Sequence, residues 1–380
     1  MLARLASSAR YRNLFIVALC LSSSLGLLSG WWYFSTPTLS PGTYLSTRRP
    51  ASVYQGPHHT QEAQTQRANA CFVILTRNRE LESILSSLQH VEMHFNSRYH
   101  YPYVVLNDEP FTDDFKKTVS AAVSSKVSYG LVPPQHWLEP EWIDQDRAKQ
   151  SREEMKAGKV IYGGSESYRR MCRYQSGFWF RHELLQEYDW YWRVEPGIKY
   201  SCDINYDPFM FMQENNKTYG FTISMTEYQA TIPTLWDTVK NFTVQNPQYL
   251  HPDNSLGFIS NDGGQSYNMC HFWSNFEIAS LRFLRSKAYM DYFEHLDRTG
   301  GFSYERWGDA PVHSIAAALF LDTRQIHFFD DVGYYHLPFT HCPSTAINQG
   351  CFCDTDKSFD NAGKSCMKQW HKLLRSKGLE

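Results

Sequence analysis

Short apolar runs alternate with helical periodicity along most of this chain. Cys71-Phe72-Val73-Ile74-Leu75 has the uninterrupted apolar character of a strand buried on both faces. Thr76-Arg77-Asn78 follows, and from Glu80 apolar positions at Leu81, Ile84, Leu85, Leu88 and Val91 trace the stripe of an amphipathic helix. Tyr103-Val104-Val105-Leu106 repeats the strand signal, ends at Asn107-Asp108 and leads into an amphipathic stretch around Phe115 and Val119. The polar segment 142–163 predicts a helix with loops. Residues 168–185 predict a further helix, with Phe178, Trp179 and Phe180 partly buried. A strand is expected at 219–224, and residues 275–292 carry helical periodicity. Strands alternating with helices predict an α/β fold, a parallel sheet with helices on its faces. There is no internal repeat.

The densest aromatic run, Asp189-Trp190-Tyr191-Trp192-Arg193-Val194-Glu195-Pro196, reads as a buried strand that ends in a carboxylate. Pro196 stops the ladder and stiffens the backbone behind Glu195. Open α/β sheets bind ligands beyond the carboxyl ends of their strands, so a carboxylate held there suits a metal or sugar-nucleotide site. A solvated glutamate at an ordinary strand-to-turn junction is the bland alternative.

At the N-terminus, Leu14 to Phe34 is an apolar run without a charge, preceded by Arg4, Arg10 and Arg12 and ending in Trp31-Trp32-Tyr33-Phe34. About 20 helical residues suffice to cross the hydrocarbon core. The terminal aromatics suit an interfacial belt better than a signal-peptidase site, and the arginines place the rest of the chain in a lumen or outside the cell. The expected organisation is a cytoplasmic tail at 1–12, a transmembrane signal anchor at 13–34 and a Pro-, Ser- and Thr-rich stem at 35–67. A lumenal catalytic domain at 68–345 and a cysteine-containing extension at 346–380 complete it.

The net charge of −2, with both signs intermixed, gives no footprint for nucleic acid. Outside the anchor stand Cys71, Cys172, Cys202, Cys270, Cys342, Cys351, Cys353 and Cys366, an even count for which an oxidising compartment predicts some disulfides. Their spacing does not assign the pairing, and without a paired C-x-x-C the cluster from Cys342 to Cys366 reads as structural bridging rather than zinc. Asn216-Lys217-Thr218 and Asn241-Phe242-Thr243 are acceptor sequons for a lumenal chain.

Neither a G-x-G-x-x-G nor a P-loop is present, so a bound nucleotide would be held by a cation or by arginines. The polar residues that punctuate the aromatic segments are Arg77, Tyr168, Glu195, Glu227, Glu277, Asp309 and His336. They sit within longer motifs: Tyr168-Arg169-Arg170-Met171-Cys172-Arg173-Tyr174, Trp192 to Pro196, Tyr219-Gly220-Phe221, Cys270-His271-Phe272-Trp273-Ser274-Asn275-Phe276-Glu277-Ile278, Trp307-Gly308-Asp309-Ala310-Pro311-Val312-His313-Ser314 and Gly333-Tyr334-Tyr335-His336. Together these resemble the fungal Golgi α-1,2-mannosyltransferases of glycosyltransferase family fifteen, over about residues 70 to 345.

The resemblance implies a GT-A-like fold, a Rossmann-type mixed sheet flanked by helices, behind an N-terminal transmembrane helix in the Golgi membrane. It also implies retaining transfer of mannose from GDP-mannose to the 2-hydroxyl of mannoside acceptors on N- or O-linked glycans, with Mn2+ as the cation. Carried onto this sequence, Glu195 and His336 match the metal site, and Arg77, Glu195 and Glu227 fall to the donor side. Tyr168 matches a donor-site tyrosine near the reaction centre, Glu277 the proposed nucleophile and Asp309 a residue for contact with the acceptor. Position 197 is Gly where a family member carries Asp, so that position has no direct role here.

A structural alternative stands beside each assignment. Glu277 could be an ion-paired helix residue near Arg282, His336 a hydrogen-bonded core histidine, and Asp309 the cap of the helix that begins near Pro311. Retention allows either a covalent glycosyl intermediate or attack on the face the phosphate leaves. A retaining mannoside hydrolase and a membrane-tethered mannan-binding lectin are the rival functions.

Overall fold

The computed structural model of the chain describes residues 67–346 and 350–380. The expected anchor at 13–34 and the stem up to residue 66 lie outside the described residues. No helix among the described residues is long and apolar enough to cross a membrane. The described residues form one compact unit.

In chain order the strands are β1 (Ala70–Leu75), β2 (Tyr103–Asn107), β3 (Val127–Leu131), β4 (Trp190–Arg193), β5 (Lys199–Tyr200), β6 (Tyr219–Phe221) and β7 (Ser224–Thr226). They continue with β8 (Cys270–Phe272), β9 (Ile278–Ser280), β10 (Ile326–Phe328), β11 (Tyr334–His336) and β12 (Phe339–His341). The main sheet runs β10-β6-β9-β4-β1-β2-β3. It is parallel except at β9, which lies antiparallel to both β4 and β6, so the sheet is mixed.

Alternation along β4 divides its aromatic run between two cores. Trp192 turns to one face, where it packs on Phe72 with ring centroids 5.3 Å apart. Tyr191 turns to the other, edge-on to Trp179 at 4.5 Å and beneath the Glu166–Gly177 and Asp309–Phe320 helices. Arg193, two residues beyond Tyr191, shares that second face.

Two expectations are corrected by the structure. The Glu166–Gly177 helix ends before Phe178, and residues to 185 form short 3-10 turns. A Cβ on Gly177 would stand 2.1 Å from the Phe293 ring, so the helix end is closed tightly onto its neighbour. Residues 275–292 are not one helix. Ile278–Ser280 is the central strand β9, followed by helices at Leu281–Leu284 and Lys287–Arg298. A short apolar run has no period that separates strand from helix, and pairing with β4 and β6 decides it. The described residues 350–380 pack on this unit through Trp370, which lies edge-on against Phe221, Phe258 and Phe272.

Candidate active site

Strands β1, β2 and β4 all end at one edge of the sheet, and a cleft of about 390 Å³ opens there. Leu75, Thr76 and Arg77 line it from β1, Asn107 and Asp108 from β2, and Glu195 and Pro196 from β4. Tyr168, Met171 and Gln175 close the opposite wall from the Glu166–Gly177 helix. The volume is within the usual range for a small-ligand site.

Glu195 sits two residues past β4 on a turn that is fixed from below. Ser87, fully buried on the Leu81–Val91 helix, donates its hydroxyl to the Glu195 carbonyl at 2.8 Å. The same oxygen accepts from the backbone N–H of Gly197 at 2.8 Å and of Ile198 at 3.2 Å. Gly197 has φ +89°, a conformation a side chain disfavours, so the glycine is what lets the chain reverse behind Pro196. The Glu195 side chain is about a quarter exposed.

His336 ends β11 in the small antiparallel sheet β12-β11-β5. Its Nε2 lies 3.6 Å from Glu195 Oε2, and its Nδ1 is buried without a hydrogen-bond partner. The ring meets Trp273 edge-on at 5.3 Å. A carboxylate oxygen and an imidazole nitrogen this close can serve one divalent cation, and the pair would leave coordination positions for phosphate oxygens. The donor set fits such an ion.

Arg193 lies directly behind. Its guanidinium, 7% exposed, donates from Nη1 to Asp309 Oδ2 at 2.6 Å and from Nη2 to Glu195 Oε1. The Asp309 carboxylate also accepts from the Ser274 hydroxyl at 2.8 Å. Burial would raise the Asp309 pKa, yet the charges of Arg193 and His313 and the hydrogen bonds from Arg193 and Ser274 together outweigh it and hold the carboxyl below its usual range. Asp309 therefore does not act as the helix cap considered above: Gly308 occupies that position, and the carboxylate is spent on Arg193 and Ser274.

Glu277 is deeper still, its side chain 1% exposed. Tyr219 donates to Oε1 at 2.5 Å, Tyr191 donates to Oε2 at 2.8 Å, and His313 Nδ1 stands 2.8 Å from Oε1. The other imidazole nitrogen faces the Gln175 carbonyl at 3.0 Å. With an acceptor at each nitrogen, His313 fits as the doubly protonated ring. Burial alone would depress its pKa, but the Glu277 carboxylate beside it raises the value above the ordinary 6.5. The ion pair imagined between Glu277 and Arg282 is absent; Arg282 reaches Asp189 at 2.9 Å.

The structure thus brings Arg77, Tyr168 and Glu195 to the cleft and His336 against Glu195. Glu227, Glu277 and Asp309 are not among the residues lining that cleft. Arg77 stands 3.7 Å from Asp108 and donates to Ser167 at 3.3 Å. Glu227 faces Arg306 at 3.4 Å, and Arg306 in turn lies 5.3 Å from the Tyr168 ring centroid. Tyr168 stacks on Tyr162 at 4.5 Å. Arg193, Arg306, His313 and Ser87 were given no role from sequence. Arg193 did carry a signal: a basic residue in an aromatic strand, on the same face as Glu195, needs buried counter-charges.

The profile of the glycolipid 2-alpha-mannosyltransferase family matches residues 45–375. Glycolipid 2-alpha-mannosyltransferase 1 of Candida albicans is 57% identical over 317 residues, covering 82% of this chain and 74% of the relative. The glycolipid 2-alpha-mannosyltransferase of Saccharomyces cerevisiae is 58% identical over 305 residues, covering 80% and 69%. Among solved structures, core-mannan synthase A of Aspergillus fumigatus in its Mn/GDP form superposes with a TM-score of 0.78 at 40% identity, covering 83% of this chain and 87% of that one.

Proposed function

Since the chain belongs to the glycolipid 2-alpha-mannosyltransferase family, we propose that its cleft binds GDP-mannose and passes the mannose to the 2-hydroxyl of a mannoside acceptor on an N- or O-linked glycan. It is a metal-dependent glycosyltransferase that uses Mn2+. The sheet order and the carboxylate at the strand ends support a GT-A-like reading of the fold. The apolar run Leu14–Phe34 supports a single-pass type II anchor in the Golgi membrane, with the catalytic unit in the lumen.

The observation that carries this reading is the approach of His336 to 3.6 Å from Glu195, which lines the cleft. We assign these two side chains to the cation, whose charge, when bound, offsets the charge gathering on the departing diphosphate. Ser87 and the Pro196 turn hold Glu195 in place, so little reorganisation is needed when the charge develops. Arg77 supplies a cation at the β1 end of the cleft, and Tyr168 with Tyr162 forms an aromatic wall suited to the apolar face of a sugar.

An α-linked product from the α-configured donor is retention of configuration. Glu277 has both oxygens occupied and almost no accessible surface in the open cleft. That supports attack by the acceptor hydroxyl on the face from which the diphosphate leaves, with the phosphate oxygen taking the proton. Glu277 then anchors His313 and the strands around it instead of bonding to the sugar.

The test is transfer by a soluble fragment from about residue 68, with GDP-mannose, a simple α-mannoside and Mn2+. Transfer that vanishes with chelator and in Glu195→Ala supports the reading. Mannoside hydrolysis that needs no GDP-mannose and survives chelation, or mannoside binding without turnover, contradicts it.

A further inference from the structure

We propose that Asp309 and Arg193 are positioning residues for the metal-binding carboxylate: Asp309 holds Arg193, and Arg193 occupies Glu195 Oε1 so that Oε2 alone faces His336 and the cation. The inference rests on the assignment of the cation to Glu195 and His336.

Three observations carry it. The Arg193 guanidinium is a planar fork with one arm on Asp309 and the other on Glu195, and it is buried to 7% exposure. Its rigidity sets the direction of Glu195 in a way a lysine ammonium on a flexible stem could not. Asp309 is itself immobile: it stands in the first turn of the Asp309–Phe320 helix, 7% exposed, with the Ser274 hydroxyl on the oxygen that Arg193 also uses. Finally, Oε2 of Glu195 is the oxygen directed at His336 Nε2, while Oε1 is taken.

The charges follow the same logic. Asp309 balances Arg193, which leaves the Glu195 charge available to a cation. With Asp309 neutralised, the Arg193 charge falls on Glu195 alone, and the net negative charge that attracts the ion is cancelled. Outer partners that orient metal ligands commonly change affinity about 10- to 100-fold when altered. Asp309 therefore acts on the cation from behind, and not on the acceptor as its motif suggested.

The experiment is a Mn2+ titration of the full chain in detergent, read by the electron paramagnetic resonance of free Mn2+ in the presence of GDP. It is paired with acceptor KM measured at saturating Mn2+. Asp309→Asn and Arg193→Lys should each weaken Mn2+ binding about 10- to 100-fold, with acceptor KM for Asp309→Asn held within about twofold of wild type, a margin well below one tenfold step. Wild-type Mn2+ affinity in either folded variant overturns the inference. So does a rise in acceptor KM at unchanged Mn2+ affinity, which would make Asp309 an acceptor contact. Should Asp309→Asn fail to fold, because it strands a buried guanidinium, Arg193→Lys decides alone. Glu195→Ala is the control: if it keeps wild-type Mn2+ affinity, the cation assignment itself has failed, a result distinct from the failure of Asp309 and Arg193 to influence it.

Discussion

Glu277 receives hydrogen bonds from Tyr191 and Tyr219 and faces His313, and its side chain offers 1% of its surface to solvent. Glu277 is not among the residues lining the cleft, in keeping with the proposed attack from the face the diphosphate leaves. The expected outcome for Glu277→Ala supplied with azide is no β-mannosyl azide, detected by mass spectrometry of the products; its formation would restore Glu277 as the nucleophile. The same pair makes stability depend on pH. The His313 pKa is raised above 6.5, so the folded state holds this proton more tightly than the unfolded chain. Its contribution is complete below about pH 6.5 and is lost as pH climbs through the raised value. His341, with Asp360 on Nδ1 at 2.6 Å and the Asp330 carbonyl on Nε2 at 3.1 Å, is raised as well and acts in the same direction. Thermal melts from pH 6 upward should therefore show falling Tm, with a shallower slope in His341→Asn; an unchanged slope in that variant would contradict the assignment.

At the scale of elements, the turn after β4 depends on a helix more than 100 positions earlier in the chain. Ser87 joins the Leu81–Val91 helix to the carbonyl of Glu195 and the N–H groups of Gly197 and Ile198. Removing a buried partner leaves unsatisfied groups at about 1 to 3 kcal/mol. Ser87→Ala is thus expected to lower stability by that amount in urea unfolding and to raise the Mn2+ concentration needed for half-maximal transfer, with Glu195 itself intact. How much could be read from sequence divides along the same lines. β1, β2 and β4 were legible because each is a run buried on both faces and ending in polar residues, which also located Arg77 and Glu195. β9 was not, since Ile278–Ser280 is three residues long, follows the buried Glu277 directly and runs into a helical turn. The partners of Arg193 were equally hidden, because Asp309 is 116 positions away and only the fold brings the two together.

Over the whole molecule, the last residues of the chain support the catalytic unit. Cys270, in β8, is bonded to Cys366 just before the Met367–Ser376 helix, which delivers Trp370 to the core. Cys202, beyond β5, is bonded to Cys351, and Cys342, beyond β12, to Cys353, so two bridges flank the small sheet that carries His336. The remaining two described cysteines, Cys71 and Cys172, are buried thiols, which leaves the even count of eight with three bridges. Trp370 is 1% exposed among Phe221, Phe258 and Phe272. Trp370→Ala should cost about 3 to 5 kcal/mol in denaturant unfolding, and a loss below about 1 kcal/mol, the size of a change that leaves core packing intact, would contradict this account of the C-terminal segment.

The central claim is that one divalent cation is shared by Glu195 and His336 at the strand ends. An anomalous-scattering map of crystals grown with Mn2+ and GDP tests it most directly. The account predicts a manganese peak bonded to Glu195 Oε2 and to the His336 imidazole, with a GDP diphosphate oxygen completing contacts from the cleft. A peak seated instead at His251, Asp253 and Asp322, where three potential ligand atoms also converge, or a diphosphate-bound manganese that touches neither Glu195 nor His336, would contradict it.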